Sequence, residues 1–415
     1  MACAGALLLL LAACGDPADP NAARGSTGPG GPVGPTPAGQ ADDGRGTGAG
    51  DRTAPADPGG VVGGGPEPPS PFGPGPPPAG TFLDLATFPY DRIVSGGVPK
   101  DGIPALTNPP LAGPGGTPFL SDADLVLGVV IGGQARAYPH NIGWWHEIVN
   151  DQVAGIPIAV TYCPLTGTGL VFAAEDEAGG PFELGVSGLL FNNNLVMYDR
   201  RDGRTLYPQL LFTAVRGQRQ GERLHLLPVT ETRWDTWKVL HPDTEVVAGG
   251  TYDAQRYRQY PYGDYRTNHE YLLFALSPSL TVNPHPAALR LGAKERVLGV
   301  RLNGAPKAYP YALLGASAVL NDEVGGTPIV VAWDRAHDLA VPFLRTLDGR
   351  LLTFEAAADP RGLLGLRDRE TVTLWGLDGR GLEGELAGAK LQQVPAHTAM
   401  WFAWVTFWQN TDVWE

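Results

Sequence analysis

One stretch of this chain occurs twice. Val126-Leu-Gly-Val129 returns as Val297-Leu-Gly-Val300, and Ala137-Tyr-Pro139 returns as Ala308-Tyr-Pro310. Asn150-Asp151 returns as Asn321-Asp322, and Gly155-Ile-Pro-Ile158 as Gly326-Thr-Pro-Ile329. All share one offset, 171, without a gap from Val126 to Cys163, and 15 of those 38 positions are identical. Trp234-x-x-Trp237 and Trp401-x-x-Trp404 match further on. A period this long predicts a folded region of two tandem copies of one unit, each about 150 residues.

Within a copy the hydrophobic pattern is that of strands. Leu125 to Ile131 is a short apolar run, and Gly132-Gly133 reads as a hairpin turn into Ala135 to Tyr138. Ile156 to Tyr162, Leu189 to Tyr198 and Arg223 to Val229 read as further strands. Trp234, Trp237 and Leu240 have helical spacing with Pro242 beyond, so Thr232 to Leu240 reads as a short helix, and Ile142 to Val149 as a second. The expected class is α+β, β-dominated, with short helices. Asn150-Asp151 before Gly155 reads as turn chemistry.

The chain begins differently. Ala6 to Ala13 is apolar and centred on Leu7 to Leu11, too short to span a bilayer and suited to the core of a signal peptide. It ends in Leu11-Ala12-Ala13-Cys14, which resembles a bacterial lipobox with Cys14 as the lipidated residue; no Lys or Arg precedes it. A plain cleaved signal with Cys14 incidental is the other reading. Residues 15–80 are about half Gly and Pro and include one aromatic residue, Phe72, a composition that cannot offset the entropy of ordering. They read as a flexible tether. The expected organisation is a leader over 1–14, a tether over 15–80, a first copy over 81–250, a Tyr-rich connector over 251–290 and a second, degenerate copy over 291–415. The expected location is extracytoplasmic, lipid-anchored to the cell membrane or outer membrane through Cys14. Net charge is −13 with no Lys/Arg run, which argues against nucleic acid as a partner.

The two copies differ most in chemistry at two places. Trp144-Trp145-His146-Glu147 stands opposite Gly315-Ala316-Ser317-Ala318, and Thr161-Tyr162-Cys163-Pro164 stands opposite Ala332-Trp333-Asp334-Arg335. A His, a Glu and a Cys are thus present in one copy only. One working site beside one scaffold copy gives this pattern; so does drift at surface positions. Cys3 lies in the leader and Cys14 at its end, so Cys163 is the one thiol of the folded region and forms no disulfide within it.

Trp145-His-Glu-Ile-Val-Asn-Asp151, Thr161-Tyr-Cys-Pro-Leu-Thr-Gly-Thr168, Gly185-Val-Ser-Gly-Leu-Leu-Phe-Asn192 and Met197-Tyr-Asp-Arg200 together resemble domain-of-unknown-function family 3179. The resemblance continues through Trp234 and Pro261-Tyr-Gly263 into the second copy and covers essentially 81–415. Members resemble exported bacterial and archaeal proteins, and some are labelled possible selenoproteins. Many carry Cys-Pro-Leu-Cys where this chain has Cys163-Pro-Leu-Thr166. The resemblance implies thiol chemistry in those members; with Thr166 in place of the second sulfur, a dithiol cycle within the motif is closed to this chain.

Three readings of the site follow. In the first, Cys163 is a nucleophile, His146 its base or pKa partner, Glu147 the group that orients the His, and Thr166 and Thr168 supply hydroxyls near the sulfur. Its opposite is a Cys that ends a buried strand as a small hydrophobe. In the second, Cys163, His146 and His140 hold copper or zinc, although the spacing matches no common metal motif. In the third, the two-copy region is a binding scaffold without catalysis. Tyr257, Tyr260, Tyr262 and Tyr265 then line a pocket or merely cover the junction, and Asn192 to Asn194 meet a ligand or merely turn the chain. The sequence names no cofactor and no small-molecule or protein partner.

Overall fold

The computed structural model describes residues 85–176, 180–274 and 291–415. The leader with Cys14, the tether over 15–80 and the last part of the connector, 275–290, lie outside the described residues. Strands dominate and helices are short, as the sequence predicts.

The first half builds from β1 (Leu125–Ile131) and β2 (Gln134–Pro139), then α1 (His140–His146), β3 (Ile148–Val153), β4 (Ile156–Cys163) and β5 (Thr168–Ala173). It continues with β6 (Leu184–Phe191), β7 (Asn194–Asp199), β8 (Thr230–Arg233) and α2 (Trp234–Leu240). After α3 (Ala254–Tyr257) in the connector, the second half runs β9 (Arg296–Leu302), β10 (Ala305–Pro310), β11 (Ser317–Val324), β12 (Thr327–Asp334) and β13 (Leu339–Leu344). β14 (Phe354–Ala358), β15 (Leu364–Asp368), β16 (Ala396–Met400) and α4 (Trp401–Phe407) complete it.

Pairings recur with the sequence offset. β1 and β2 pair with Val126 opposite Pro139, and β9 and β10 with Val297 opposite Pro310. β8 lies on the free edge of β1, as β16 lies on that of β9. β3-β4-β5 and β11-β12-β13 are antiparallel meanders, and β6-β7 and β14-β15 are hairpins. Trp237 of α2 and Trp404 of α4 cover Gly128 and Gly299 so closely that a methyl group at either glycine would overlap the indole, which accounts for Gly at both places. Each indole donates to a threonine seven residues on, Trp237 to Thr244 at 2.9 Å and Trp404 to Thr411 at 2.8 Å.

Asn150 and Asp151 are not turn residues. They lie within β3, and the turn is at Ala154-Gly155, both with positive φ. Asn150 donates to the Leu184 carbonyl at 3.0 Å and accepts from the Leu184 amide at 2.9 Å, clamping β3 to β6. Asn321 does the same with Phe354, at 2.7 and 2.8 Å. Asp151 accepts from Tyr138 and Asp322 from Tyr309, each at 2.8 Å, so the recurring Tyr-Pro and Asn-Asp pairs are one structural device. Asn150→Ala leaves both polar groups of Leu184 unpaired in the core; the expected cost is about 2–3 kcal/mol in urea unfolding.

The reading of Leu189 to Tyr198 as one strand also changes. Asn192 and Asn193 have φ of 51° and 63° and turn the chain between β6 and β7. The second predicted helix is shifted, since His140–His146 is helical and Ile148 already belongs to a strand.

The halves interlock. Met400, Phe402 and Ala403 of the second half join the core around Cys163, and Leu240 of the first half joins the core around Phe343 and Trp375. The Met400 amide donates to the Thr166 carbonyl at 2.8 Å, so the second half braces the turn that follows Cys163.

Candidate functional site

Cys163 is the last residue of β4 and is 1% exposed. Its thiol points toward the Asn193 carbonyl, with sulfur and oxygen 3.7 Å apart. Burial pushes the thiol up to about 11, and the Glu147 carboxylate adds to the rise. Hydrogen bonds from the Thr166 hydroxyl and from the Leu195 and Leu165 amides work in the opposite direction, since they favour a thiolate.

Glu147 follows α1 with φ of 57°, an uncommon conformation for a side-chain-bearing residue. It is 8% exposed, but its carboxyl oxygens are not among the fully enclosed unpartnered atoms of the described residues, which include His140 Nε2 and Glu231 Oε2. Burial alone pushes it up to about 8. Its side chain lines a narrow crevice between α1, β1 and β4, with His140 and Tyr162 beside it and mainly apolar walls elsewhere. Cys163 does not line that crevice.

His146 stands apart from the sulfur chemically. It is fully buried, with Nδ1 2.7 Å from the Pro104 carbonyl and Nε2 2.8 Å from the Tyr257 hydroxyl. A carbonyl only accepts, so Nδ1 carries the proton and Nε2 accepts from Tyr257. Burial pushes the ring down to about 4, partly offset by the Pro104 carbonyl. Both nitrogens are therefore engaged away from Cys163.

His146 belongs to a clasp that holds the connector. Trp145 donates to the Gln259 carbonyl at 3.1 Å, and Asn141 to the Tyr257 carbonyl at 2.9 Å. Trp144 meets the Tyr260 ring edge-on at 5.3 Å, and the Arg266 guanidinium lies over both rings. Tyr265 is fully buried and donates to the Leu165 carbonyl at 3.0 Å, which closes the connector over the Cys163 turn. The Tyr-rich segment thus covers the first half's distinctive residues. The chain has one such connector, which gives a structural reason for Trp144, Trp145 and His146 to lack counterparts in the second half.

His140 occupies the place of Tyr311. Its ring packs tilted against Tyr162 at 4.4 Å, and its Nε2 lies 3.5 Å from Glu231, too long for a good hydrogen bond. Tyr311 stacks on Trp333 at 4.3 Å and bonds Thr398 at 2.9 Å. Burial opposes ionisation of Glu231, but His140 and Arg296 outweigh it and hold the carboxylate down to about 2. Among the described residues no three His, Cys, Asp or Glu side chains converge as metal ligands, so His140, His146 and Cys163 do not form a copper or zinc site there.

Beside Cys163 lies a buried network of uncharged polar side chains. Thr168 donates to Gln209 Oε1 at 2.7 Å, Asn194 donates to the same oxygen at 2.8 Å and to Thr166 at 3.0 Å, and Gln209 donates to Thr161 at 2.9 Å. All five residues are fully buried.

The family model described as "Protein of unknown function (DUF3179)" matches residues 100–411. The chain belongs to the DUF3179 family. No curated protein and no solved structure matches it. The DUF3179 match runs through both halves and the connector between them, so the clasp and the Cys163 turn lie inside it. Gln209 and Glu231 escaped the sequence reading of this DUF3179 chain, which named Tyr257 and Asn194 only as candidate ligand contacts. Thr161 and Thr168 carried a signal, because the positions 171 residues on hold Ala332 and Leu339.

Proposed function

We propose that this is an exported protein, lipid-anchored through Cys14 and tethered by residues 15–80, whose folded region arose by duplication and keeps a thiol-dependent site in its first half. Cys163 is the nucleophile and Glu147, rather than His146, its proton acceptor. One observation carries this reading. Once the residues that hold the connector are set aside, the first half's distinctive chemistry reduces to Cys163 and Glu147. Glu147 is buried and in an uncommon backbone conformation, and its charge helps to push up the Cys163 thiol. Such groups cluster at functional sites because only a function offsets their cost. In the reaction the Cys163 proton passes to the Glu147 carboxylate and the sulfur electron pair attacks an electrophile admitted when the connector shifts.

The test is modification of the intact protein by methyl methanethiosulfonate, with Cys163 followed by peptide mass and Cys163→Ser as control. Native protein is expected to react, and Glu147→Gln to change the pH dependence of the rate. Identical profiles would remove Glu147 from the site. The depth of Cys163 favours a second reading, a non-catalytic extracytoplasmic scaffold for a ligand, and a thiol inert in the native state would decide for it. Anchoring is tested separately. Cells expressing the chain and fed labelled palmitate are expected to label it, and Cys14→Ser to abolish the label; equal labelling of both would exclude Cys14. Among the described residues no helix is long and apolar enough to cross a membrane.

A further inference from the structure

The buried acids of the first half have cations, with one exception. Asp151 pairs with Arg136 at 2.9 Å, Asp199 with Arg201 at 2.6 Å and Glu231 with Arg296 at 2.6 Å. Among the described residues no Lys, Arg or His nitrogen stands within ion-pair distance of Glu147, and burial alone acts on its carboxyl. A carboxylate taken out of water is costly unless a positive group meets it. Glu147 is 8% exposed, and its side chain lines the crevice between α1, β1 and β4. Tyr138, His140 and Tyr162 line the same crevice, and Leu127, Val149 and Val160 close it. It has room for about one water-sized group.

We propose that this crevice binds the ammonium head of a small primary amine, with Glu147 as its counter-ion and Tyr138 and Tyr162 beside it. An ammonium head has the size of a water, carries donors only and is attracted to aromatic rings. A quaternary head is too large for the same space. Cys163 does not line the crevice, so the site adds to the proposed thiol chemistry and does not rest on it.

The second half shows that the fold does not need a crevice here. The positions 171 residues beyond His140, Gly143, Glu147 and Tyr162 hold Tyr311, Leu314, Ala318 and Trp333. Tyr311, Leu314 and Trp333 are buried in one hydrophobic cluster, with Ala318 packed against it. The same frame of strands is thus filled in one half and left open, with a carboxyl group in the opening, in the other. Closing such a gap with apolar side chains stabilises a core, so an opening lined by a buried acid points to something that enters it.

The groups that face Glu147 and titrate are His140 from α1, Tyr138 from β2, and Tyr162 and Cys163 from β4. Burial pushes the two tyrosines and the thiol up, so these stay neutral near pH 7. His140 Nε2 faces Glu231, and a charge on its ring would repel an ammonium, which acts in the same direction as protonation of Glu147.

The experiment is a titration of methylammonium chloride into the intact protein at constant ionic strength, followed by saturation transfer to its methyl protons, in pH steps from 6 to 9. Methylammonium stays cationic throughout, as a lysine does. Glu147 must release its proton to pair with it, so affinity is expected to rise about tenfold per pH unit below 8 and to level off above. Glu147→Gln, which keeps the volume and removes the charge, is expected to abolish binding, with its urea midpoint confirming that it folds. Tetramethylammonium is expected not to bind. Methylammonium that fails to bind at the top of the pH range, or that still binds Glu147→Gln, would overturn the proposal. So would acetamide binding in its place with an affinity that falls above pH 8, the mark of a neutral ligand on a protonated carboxyl group. Modification of Cys163 reads the thiol and not the crevice, so the two proposals fail separately.

Discussion

Glu147→Gln is expected to stabilise the protein relative to wild type as pH rises, with the two stability curves parallel below pH 5 and diverging by on the order of 4 kcal/mol above pH 8. In the folded protein burial pushes the carboxyl up to about 8, against an ordinary value of 4.5. Between those values the folded state holds a proton that the unfolded state has released. Stability is therefore full below 4.5 and falls as pH rises through 8. A glutamine has nothing to ionise, so its curve lacks that limb. Urea midpoints at half-unit pH steps measure the difference. Curves that stay parallel to pH 9 would mean that Glu147 finds water or a partner when ionised.

Between pH 6.5 and 4 the acid limb belongs mainly to buried histidines and has the opposite sign, and Glu231 adds to it as pH falls from 4.5 through 2. Burial pushes His146 and His397 down to about 4 from an ordinary 6.5. The unfolded chain binds those protons first, so the stability these neutral rings confer is present above 6.5 and lost as pH falls through 4. At about 3 kcal/mol each, together they remove roughly 6 kcal/mol. His241 is pushed down in the same way but is partly exposed, so its share is smaller. His397 lies among Trp404 and Phe212 with both ring nitrogens unpartnered. His397→Phe is expected to flatten the acid limb by about half without loss at pH 7. A variant that keeps the full wild-type acid slope would assign that limb to other groups.

Much of the architecture was legible because a 171-residue offset and period-two hydrophobicity are local signals. The hairpin at Gly132-Gly133, the strand over Ile156 to Tyr162 and the helix bearing Trp234 and Trp237 sit where their residues predict. Asn150 and Asp151 were misread because Asn and Asp suit turns, whereas here each satisfies a partner on a neighbouring strand, which no local pattern encodes. The site was half legible. Comparing the two halves of the sequence singled out His146, Glu147 and Cys163 together, and only three-dimensional contacts separate them. His146 is spent on Pro104 and Tyr257, residues 42 and 111 positions away, while burial alone acts on Glu147. Asn194 and Gln209 reach Thr166 and Thr168 from other strands and turns, so their part is invisible until the chain is folded.

The central claim is that Cys163 reacts from the native fold when the connector moves aside, rather than from the unfolded chain. The direct measurement is the rate of Cys163 modification by methyl methanethiosulfonate as urea is raised from zero toward the start of unfolding. A native-state route predicts a rate that is flat in urea and rises when the clasp is weakened by Tyr257→Phe, which removes the hydroxyl that holds His146. A rate that climbs with urea along the full slope of global unfolding, unchanged by Tyr257→Phe once stability is matched, would contradict it and leave Cys163 a core residue.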